Sequence, residues 1–184
     1  KVLTTNLNFQ IDKGQLVQKG VLNFKDNKPY GFKGTFDFKN FNLNKLEDKF
    51  GVVDADLYIS VNNILSESFD FSYNLTLSKL IIGQTALNNL SFDGDYKFQT
   101  FTSDIKINDN LISAKSVISF SWSENQKKYQ FDLNLKHLNL HSLSQKLGYG
   151  KAVFSGDLTV FLVGDSFDQI QGNLLFKNLS FENV

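Results

Sequence analysis

The sequence predicts an all-β protein built as an antiparallel meander. Three observations carry the prediction. Apolar residues recur at every second position, turn-forming residues interrupt that pattern roughly every 10 to 15 residues, and helical periodicity is almost absent. A chain of 184 residues with 19 Phe is long enough for one domain or two small repeated units, and too apolar for intrinsic disorder.

The first run puts Leu3, Thr5, Leu7, Phe9 and Ile11 on one face and Thr4, Asn6, Asn8 and Gln10 on the other. Asp12-Lys13-Gly14 reads as a turn. Leu16, Leu22 and Phe24 form a second apolar face, ending at Asp26-Asn27-Lys28-Pro29, so the single Pro is expected in a loop. Tyr30, Phe32, Phe36 and Phe38 then alternate with Gly31, Lys33, Thr35, Asp37 and Lys39. Further along, Ala55, Leu57, Ile59 and Val61 make one strand face, and Phe69, Phe71, Tyr73, Leu75 and Leu77 the next. Leu90, Phe92, Tyr96 and Phe98 flank Gly94. Ile105 and Ile107 lead into an Asn108-Asp109-Asn110 turn. Ile112, Ala114, Ile118, Phe120 and Trp122 follow, and after a polar Glu124-Asn125-Gln126-Lys127 turn come Tyr129, Phe131, Leu133 and Leu135. The opposite faces are Lys, Asn, Asp and Ser, the pattern of a sheet with one wet side.

Two stretches break the alternation. Residues 44–50 (NKLEDKF) and 142–147 (SLSQKL) space their apolar residues three or four apart and end before Gly51 and Gly148, which predicts one or two short helices. They also open an internal repeat. FKNFNLNKLEDKFG (38–51) aligns without gaps on LKHLNLHSLSQKLG (135–148), an offset of 135 − 38 = 97 residues. With small shifts the echo extends over 38–80 and 135–182, as in Ser68-Phe69-Asp70 against Ser166-Phe167-Asp168. The reading is a single β-rich segment, 1–184, of two units whose sheet is extensible at both ends.

Composition excludes several functions. The formal net charge is zero and every basic residue is Lys, so the chain lacks both the field and the guanidinium forks that draw proteins to nucleic acid. Without Cys it has no disulfide, thiolate nucleophile or Cys-based metal site. No Ser-His-Asp constellation, phosphate loop or paired-carboxylate cleft stands out, and the chain reads as non-enzymatic with no cofactor. His137 and His141 have metal-compatible spacing, but on a strand leading to a turn with no acidic third ligand. Asp54, Asp56, Asp93 and Asp95 lack the further oxygens of a calcium loop and read as turn and solvent-face residues. The Asn-X-Ser/Thr triplets at Asn74, Asn89 and Asn178 are those expected in an Asn-rich chain, and Trp122 reads as packed core. A chain that starts at Lys1 without any Met predicts a mature form or a segment, with any signal or anchor outside it.

The C-terminal third, Leu138, Leu140, Leu143, Ser155-Gly156, Leu158, Gly164, Phe167, Ile170, Gly172 and Leu174, resembles the repeating module of the AsmA-like family, most closely its TamB group. The likeness covers residues 131–182 and, more weakly, 36–80. Where many such repeats carry Asp-Pro before the last glycine strand, this chain has Ser166-Phe167-Asp168. The resemblance implies a β-taco: an elongated antiparallel sheet curled into an open trough, standing in the periplasm of a Gram-negative bacterium as part of an inner-membrane-anchored protein. It further implies phospholipid transport between the membranes or assistance to outer-membrane protein assembly. The implied partners are phospholipid acyl chains or client β-strands, adjacent modules of the same chain and a BamA-like outer-membrane protein. The expected lipid-groove residues are Phe32, Phe36, Phe38, Phe69, Phe71, Tyr73, Leu75, Leu77, Phe98, Phe120, Trp122, Phe131 and Leu133. Taken alone, the same Phe ladder also fits the closed core of a structural or adhesive β-repeat module. A carbohydrate-binding sandwich would call for exposed Trp or Tyr platforms, and the chain has a single Trp.

Overall fold

A computed structural model of the chain describes residues 1–11, 13–44, 50–66, 69–83, 85–123, 126–139, 152–164 and 171–183. The protein is all-β and antiparallel, and it divides into two compact units, Lys1–Phe98 and Gln99–Val184. The first holds β1 (Val2–Ile11), β2 (Gly14–Lys25), β3 (Lys28–Asn42), β4 (Phe50–Asn62), β5 (Asp70–Ile82) and β6 (Thr85–Lys97). The second holds β7 (Thr100–Asn108), β8 (Ile112–Ser123), β9 (Gln126–Asn139), β10 (Ala152–Gly164) and β11 (Gln171–Asn183). Within each unit every strand pairs with its neighbour in sequence, so each is a meander.

The turns follow from local chemistry. Asp26 and Asn27 join β2 to β3 with φ of 51° and 62°, the two left-handed residues that a two-residue hairpin needs to match strand twist. Between β7 and β8 the Asp109 carboxylate accepts the Leu111 N–H at 2.8 Å, closing an Asx turn. Pro29 is not in a loop. It is the second residue of β3, beside a register shift at Asn23/Phe24 where the ladder is already interrupted.

Each unit is an open, uncurled sheet, which corrects the expected β-taco. Among the described residues no large side chain is fully buried, as expected of a sheet whose apolar face is not folded onto itself. No helix occurs among the described residues. Of the expected helix at 44–50, Asn44 is a turn residue and Phe50 already begins β4, while 45–49 lie outside the described residues, as does the whole of 142–147.

Apart from the shifts at Asn23/Phe24 and Phe50/Val53, strict alternation fails along one line in each unit. In the first, register shifts fall at Phe38/Phe41 in β3 and at Asp54/Ala55 in the β4–β5 pairing, and Asn89 of β6 is left-handed. The Asn40 N–H donates to Asp54 Oδ1 at 2.6 Å, and the Ser78 hydroxyl donates to the Asp54 carbonyl at 3.3 Å, so the bulges are tied to one another. In the second unit the shifts fall at Ser113/Ala114, Phe154/Gly156 and Ser155/Asp157, opposite left-handed Asn178. Each bulge adds one residue to a strand and returns an apolar side chain to the same face three positions on. The pairs are Phe38/Phe41, Leu77/Leu80, Leu87/Leu90, Leu135/Leu138 and Phe176/Leu179. The Phe38 and Phe41 rings meet edge to face at 5.5 Å. Val53, Ala55, Leu77, Leu90, Ala114 and Leu135, nearly all the buried apolar residues among those described, flank these two lines. The described parts of the two expected repeats share this feature, since both 38–41 and 135–138 sit at a shift.

Asn40, Asn89 and Asn178 have φ of 48°, 55° and 53°. Asparagine tolerates that region better than other residues with a side chain, and β-branched residues tolerate it worst. Asn89→Val is therefore expected to destabilise the protein by about 1–2 kcal/mol in urea unfolding, while Asn89→Gly leaves stability nearly unchanged. Equal losses for both would show that the side chain, not the backbone, holds the bulge.

Candidate functional site

The strand registers sort every paired residue onto one of two faces. In the first unit the apolar face reads as rows across the strands. One row is Leu3–Leu22–Phe32–Val61–Phe71–Tyr96, and the next Thr5–Gly20–Gly34–Ile59–Tyr73–Gly94. Then come Leu7–Gln18–Phe36–Leu57–Leu75–Phe92 and Phe9–Leu16–Phe38–Ala55–Leu77–Leu90. Past the bulge line Phe41, Val53, Leu80 and Leu87 form a further row. No charged side chain stands in any of these rows. At about 4.8 Å per strand, the face is roughly 24 Å wide from β1 to β6.

The second unit repeats the arrangement. Its rows include Phe120–Tyr129–Leu162–Gly172, Ile118–Phe131–Val160–Leu174 and Ser116–Leu133–Leu158–Phe176. The opposite faces carry the charges: Lys33, Asp37, Lys39, Asp54, Asp56, Asp93 and Asp95 in one unit, Asp104, Lys106, Lys115, Asp132, Asp157 and Lys177 in the other.

Of the residues expected in a groove, Phe32, Phe36, Phe38, Phe71, Tyr73, Leu75 and Leu77 share the apolar face of the first unit. Phe69 joins them by stacking on Phe71 and Tyr96, with ring centroids at 5.7 and 5.1 Å. Phe120, Trp122, Phe131 and Leu133 share that of the second. Phe98 does not belong: β6 ends at Lys97, and Phe98 follows with φ 49° and 93% of its surface exposed. The alternation through Leu90, Phe92 and Tyr96 pointed to it, but the chain turns one residue too soon.

Among the described residues, most of the face is half-covered by its own neighbours and by nothing else. Small residues leave dips that adjoining rings fill. The Phe32 ring lies over Gly20 and Gly34, where an added Cβ would stand 2.7 and 2.5 Å from its carbons, and Leu179 likewise covers Gly156. The polar side chains in these rows include Thr5 and Gln18 in the first unit and Ser103 and Ser116 in the second. Gln18 is 5% exposed between Leu7 and Phe36, with its amide donating to Thr5 Oγ1 at 2.9 Å and its Oε1 unpaired. Ser116 is buried between Ile105 and Leu133, also without a partner for its hydroxyl. An unsatisfied buried acceptor costs more than a hydrogen bond returns. Gln18→Leu is accordingly expected to raise the thermal midpoint, by the equivalent of about 1 kcal/mol; a fall would show that the Gln18–Thr5 bond is needed to seat β1.

The solvent face is held by amide–carboxylate bonds. Asp157 accepts Asn134 and Asn178 side-chain N–H groups at 2.6 Å each, and the Asn74 amide donates to Asp93. The bond from Asn134, then that from Asn178, with Lys177 assisting, holds the Asp157 carboxyl below its ordinary value of 3.8. A depressed carboxyl adds stability above its unfolded value and loses it as pH falls through the folded one. Part of the acid destabilisation below pH 3.8 is thus expected to vanish in Asp157→Asn. Parallel curves of stability against pH for the two proteins would contradict the assignment.

A shallow hollow of about 430 Å³ lies on this charged face, between Lys106, Lys115, Asp132, Asp157 and Lys177. It carries charges of both signs, with Lys106 directly opposite Lys115, and nothing in it converges on a single ligand atom. Among the described residues no three His, Cys, Asp or Glu stand close enough to hold a metal ion. His137 Nε2 lies 3.3 Å from the Asn110 carbonyl, and His141 is outside the described residues. No helix of the described residues is long and apolar enough to cross a membrane.

The fold and face define a one-sided antiparallel β protein whose apolar surface has no covering layer among the described residues. No protein-family model, no curated protein and no solved structure matches the chain.

The residues beyond the bulge lines, Phe41, Leu80, Leu87, Leu138 and Leu179, escape a reading based on period 2 alone. Their signal is an apolar pair three apart enclosing Lys-Asn, Ser-Lys, Asn-Asn or Lys-His. That spacing is read most readily as helix.

Proposed function

We propose that the chain is a non-enzymatic segment whose apolar sheet faces carry phospholipid acyl chains, in a TamB/AsmA-like protein of the periplasm. One observation supports this above all others: in each unit a continuous apolar face, aligned by strand register, has no second layer over it among the described residues. Water is a poor solvent for such a surface, and so it is for an acyl chain. Each CH₂ moved from water onto the face gains up to about 0.8 kcal/mol. The absence of charges in the rows of the first unit leaves nothing to anchor a chain at one point, so it is free to slide. Client β-strands are the second cargo this face suits, since a strand with one apolar side presents the same chemistry. An open sheet serves either cargo without the curl of a β-taco. The closed-core alternative lacks the covering layer it requires among the described residues.

The test is photo-crosslinking of a diazirine-bearing phospholipid to the purified chain, with native mass spectrometry of what copurifies. Phe36→Asp and Phe131→Asp are expected to abolish crosslinking while circular dichroism keeps the β signal, because neither side chain is fully buried. Absence of any lipid adduct on the unmodified chain, or unfolding of both variants, would overturn the proposal.

A further inference from the structure

Among the described residues two buried side-chain atoms lack any hydrogen-bond partner, Gln18 Oε1 and Ser116 Oγ. Both stand in the apolar rows, one in each unit. An unpaired buried acceptor lowers stability, so its place on a face otherwise without charge asks for a reason beyond packing. The surroundings of Gln18 supply one.

The row beside Gln18 is the lowest on the face of the first unit: Thr5, Gly20, Gly34, Ile59, Tyr73 and Gly94. Gly20 and Gly34 are direct cross-strand partners, so the backbone of two strands lies bare at that point. The Phe32 ring covers the bare patch. Phe32 Cε2 and Gln18 Nε2 stand 2.7 and 2.8 Å from where a Gly20 Cβ would be, and Phe32 Cζ stands 2.5 Å from the equivalent point at Gly34. The ring is half-buried, and among the described residues no second layer lies over it. Side chains in such positions change rotamer far faster than strands move. When Phe32 swings off the glycine pair, it uncovers a hollow with Gln18 as one wall.

The chemistry of that hollow selects one kind of ligand. Gln18 is 5% exposed and donates through Nε2 to Thr5 Oγ1 at 2.9 Å, which leaves its Oε1 as an acceptor without a donor. The Thr5 oxygen accepts that bond and still carries its own O–H to give. An acceptor and a donor side by side match a single hydroxyl, which donates to the first and accepts from the second. A carboxylate has no donor for Oε1 and brings a charge that nothing in these rows neutralises. An ether or a bare hydrocarbon leaves Oε1 unpaired.

We propose that the Gly20–Gly34 hollow beneath Phe32 takes the hydroxyl end of a long-chain alcohol. Its O–H donates to Gln18 Oε1, its oxygen accepts from Thr5, and its hydrocarbon runs over the neighbouring apolar rows. The proposal rests on the acyl-chain reading above and adds a stopping point to it. Chains slide over the rows, and one that ends in a hydroxyl is held at Gln18. A side chain that lowers stability thereby has a use, the selection of a ligand.

The purified full chain is titrated calorimetrically with decanol and with methyl decyl ether, which share a decyl tail and differ in the O–H. Decanol is expected to bind about two- to tenfold more tightly, the range of one net hydrogen bond. In Gln18→Leu the two ligands are expected to bind alike, with the affinity the unaltered chain shows for the ether, while the thermal midpoint rises. Thr5→Val keeps the shape and removes the hydroxyl; it is expected to narrow the preference, and it carries the test should Gln18→Leu fail to fold. The side-chain amide signals of Gln18 in a nitrogen–proton NMR spectrum are expected to shift with decanol and to stay in place with the ether. Equal binding of the two ligands by the unaltered chain, equal shifts of the amide signals, or a preference that survives in both variants overturns the hydroxyl site but leaves acyl binding standing. Equal losses for decanol and ether in Gln18→Leu make the glutamine a structural residue and overturn the site as well. Failure of both ligands to bind overturns the acyl-chain reading together with the site.

Discussion

The structure depends on keeping apolar side chains on one face of strands whose side chains point alternately to opposite sides. Over a short strand, period 2 in the sequence satisfies this. Over strands as long as β3 or β9, the apolar residues change phase once, at Phe38/Phe41 and Leu135/Leu138, and without a compensating shift a one-residue slip would send the apolar set beyond it into water. The chain resolves the conflict with aligned bulges. Each inserts one residue, moves the phase by one, and brings the next apolar side chain back to the face it left. Because neighbouring strands bulge along the same line, ladder pairing resumes on the far side. The covered part of each unit is there too: Val53, Ala55, Leu77 and Leu90 in one, Ala114 and Leu135 in the other. The bulge lines thus substitute for the core that a single-layer sheet otherwise lacks.

This explains what was legible in the sequence and what was not. The strands, their apolar faces and the turns at Asp26-Asn27 and Asn108-Asp109-Asn110 follow from alternation and turn chemistry, both local properties. Phe32, Phe36, Phe38, Phe71, Tyr73, Leu75 and Leu77 were readable as one surface because no bulge intervenes among them. Phe98 was not, because the backbone turns at the very residue where alternation would continue. The curl implied by resemblance is a property of the whole sheet, set by the sum of strand twists and bulges, and alternation within single strands does not report it. The asparagines at 89 and 178, which as Asn-X-Ser triplets look like modification sites, serve as left-handed bulge residues.

The two faces of each unit follow different rules. The solvent face is held by directional bonds, the Asn134–Asp157–Asn178 bridge foremost, which fix the lateral alignment of β9, β10 and β11. The apolar face has almost no directional bonds, and its rings fill the dips left by Gly20 and Gly34. A surface so smooth and so poor in fixed polar contacts is suited to a ligand defined by its hydrocarbon.

The central claim is that these apolar faces are folded and uncovered at the same time. A chain without cysteine permits a direct measurement: thiol labelling of Leu75→Cys and Phe131→Cys in lipid-free protein, with Asn74→Cys on the solvent face as control. The account predicts that all three react with a maleimide on the same time scale while circular dichroism shows the native sheet. Strong protection of Cys at 75 and 131, with free labelling at 74, would reveal a second layer over the apolar face and contradict it.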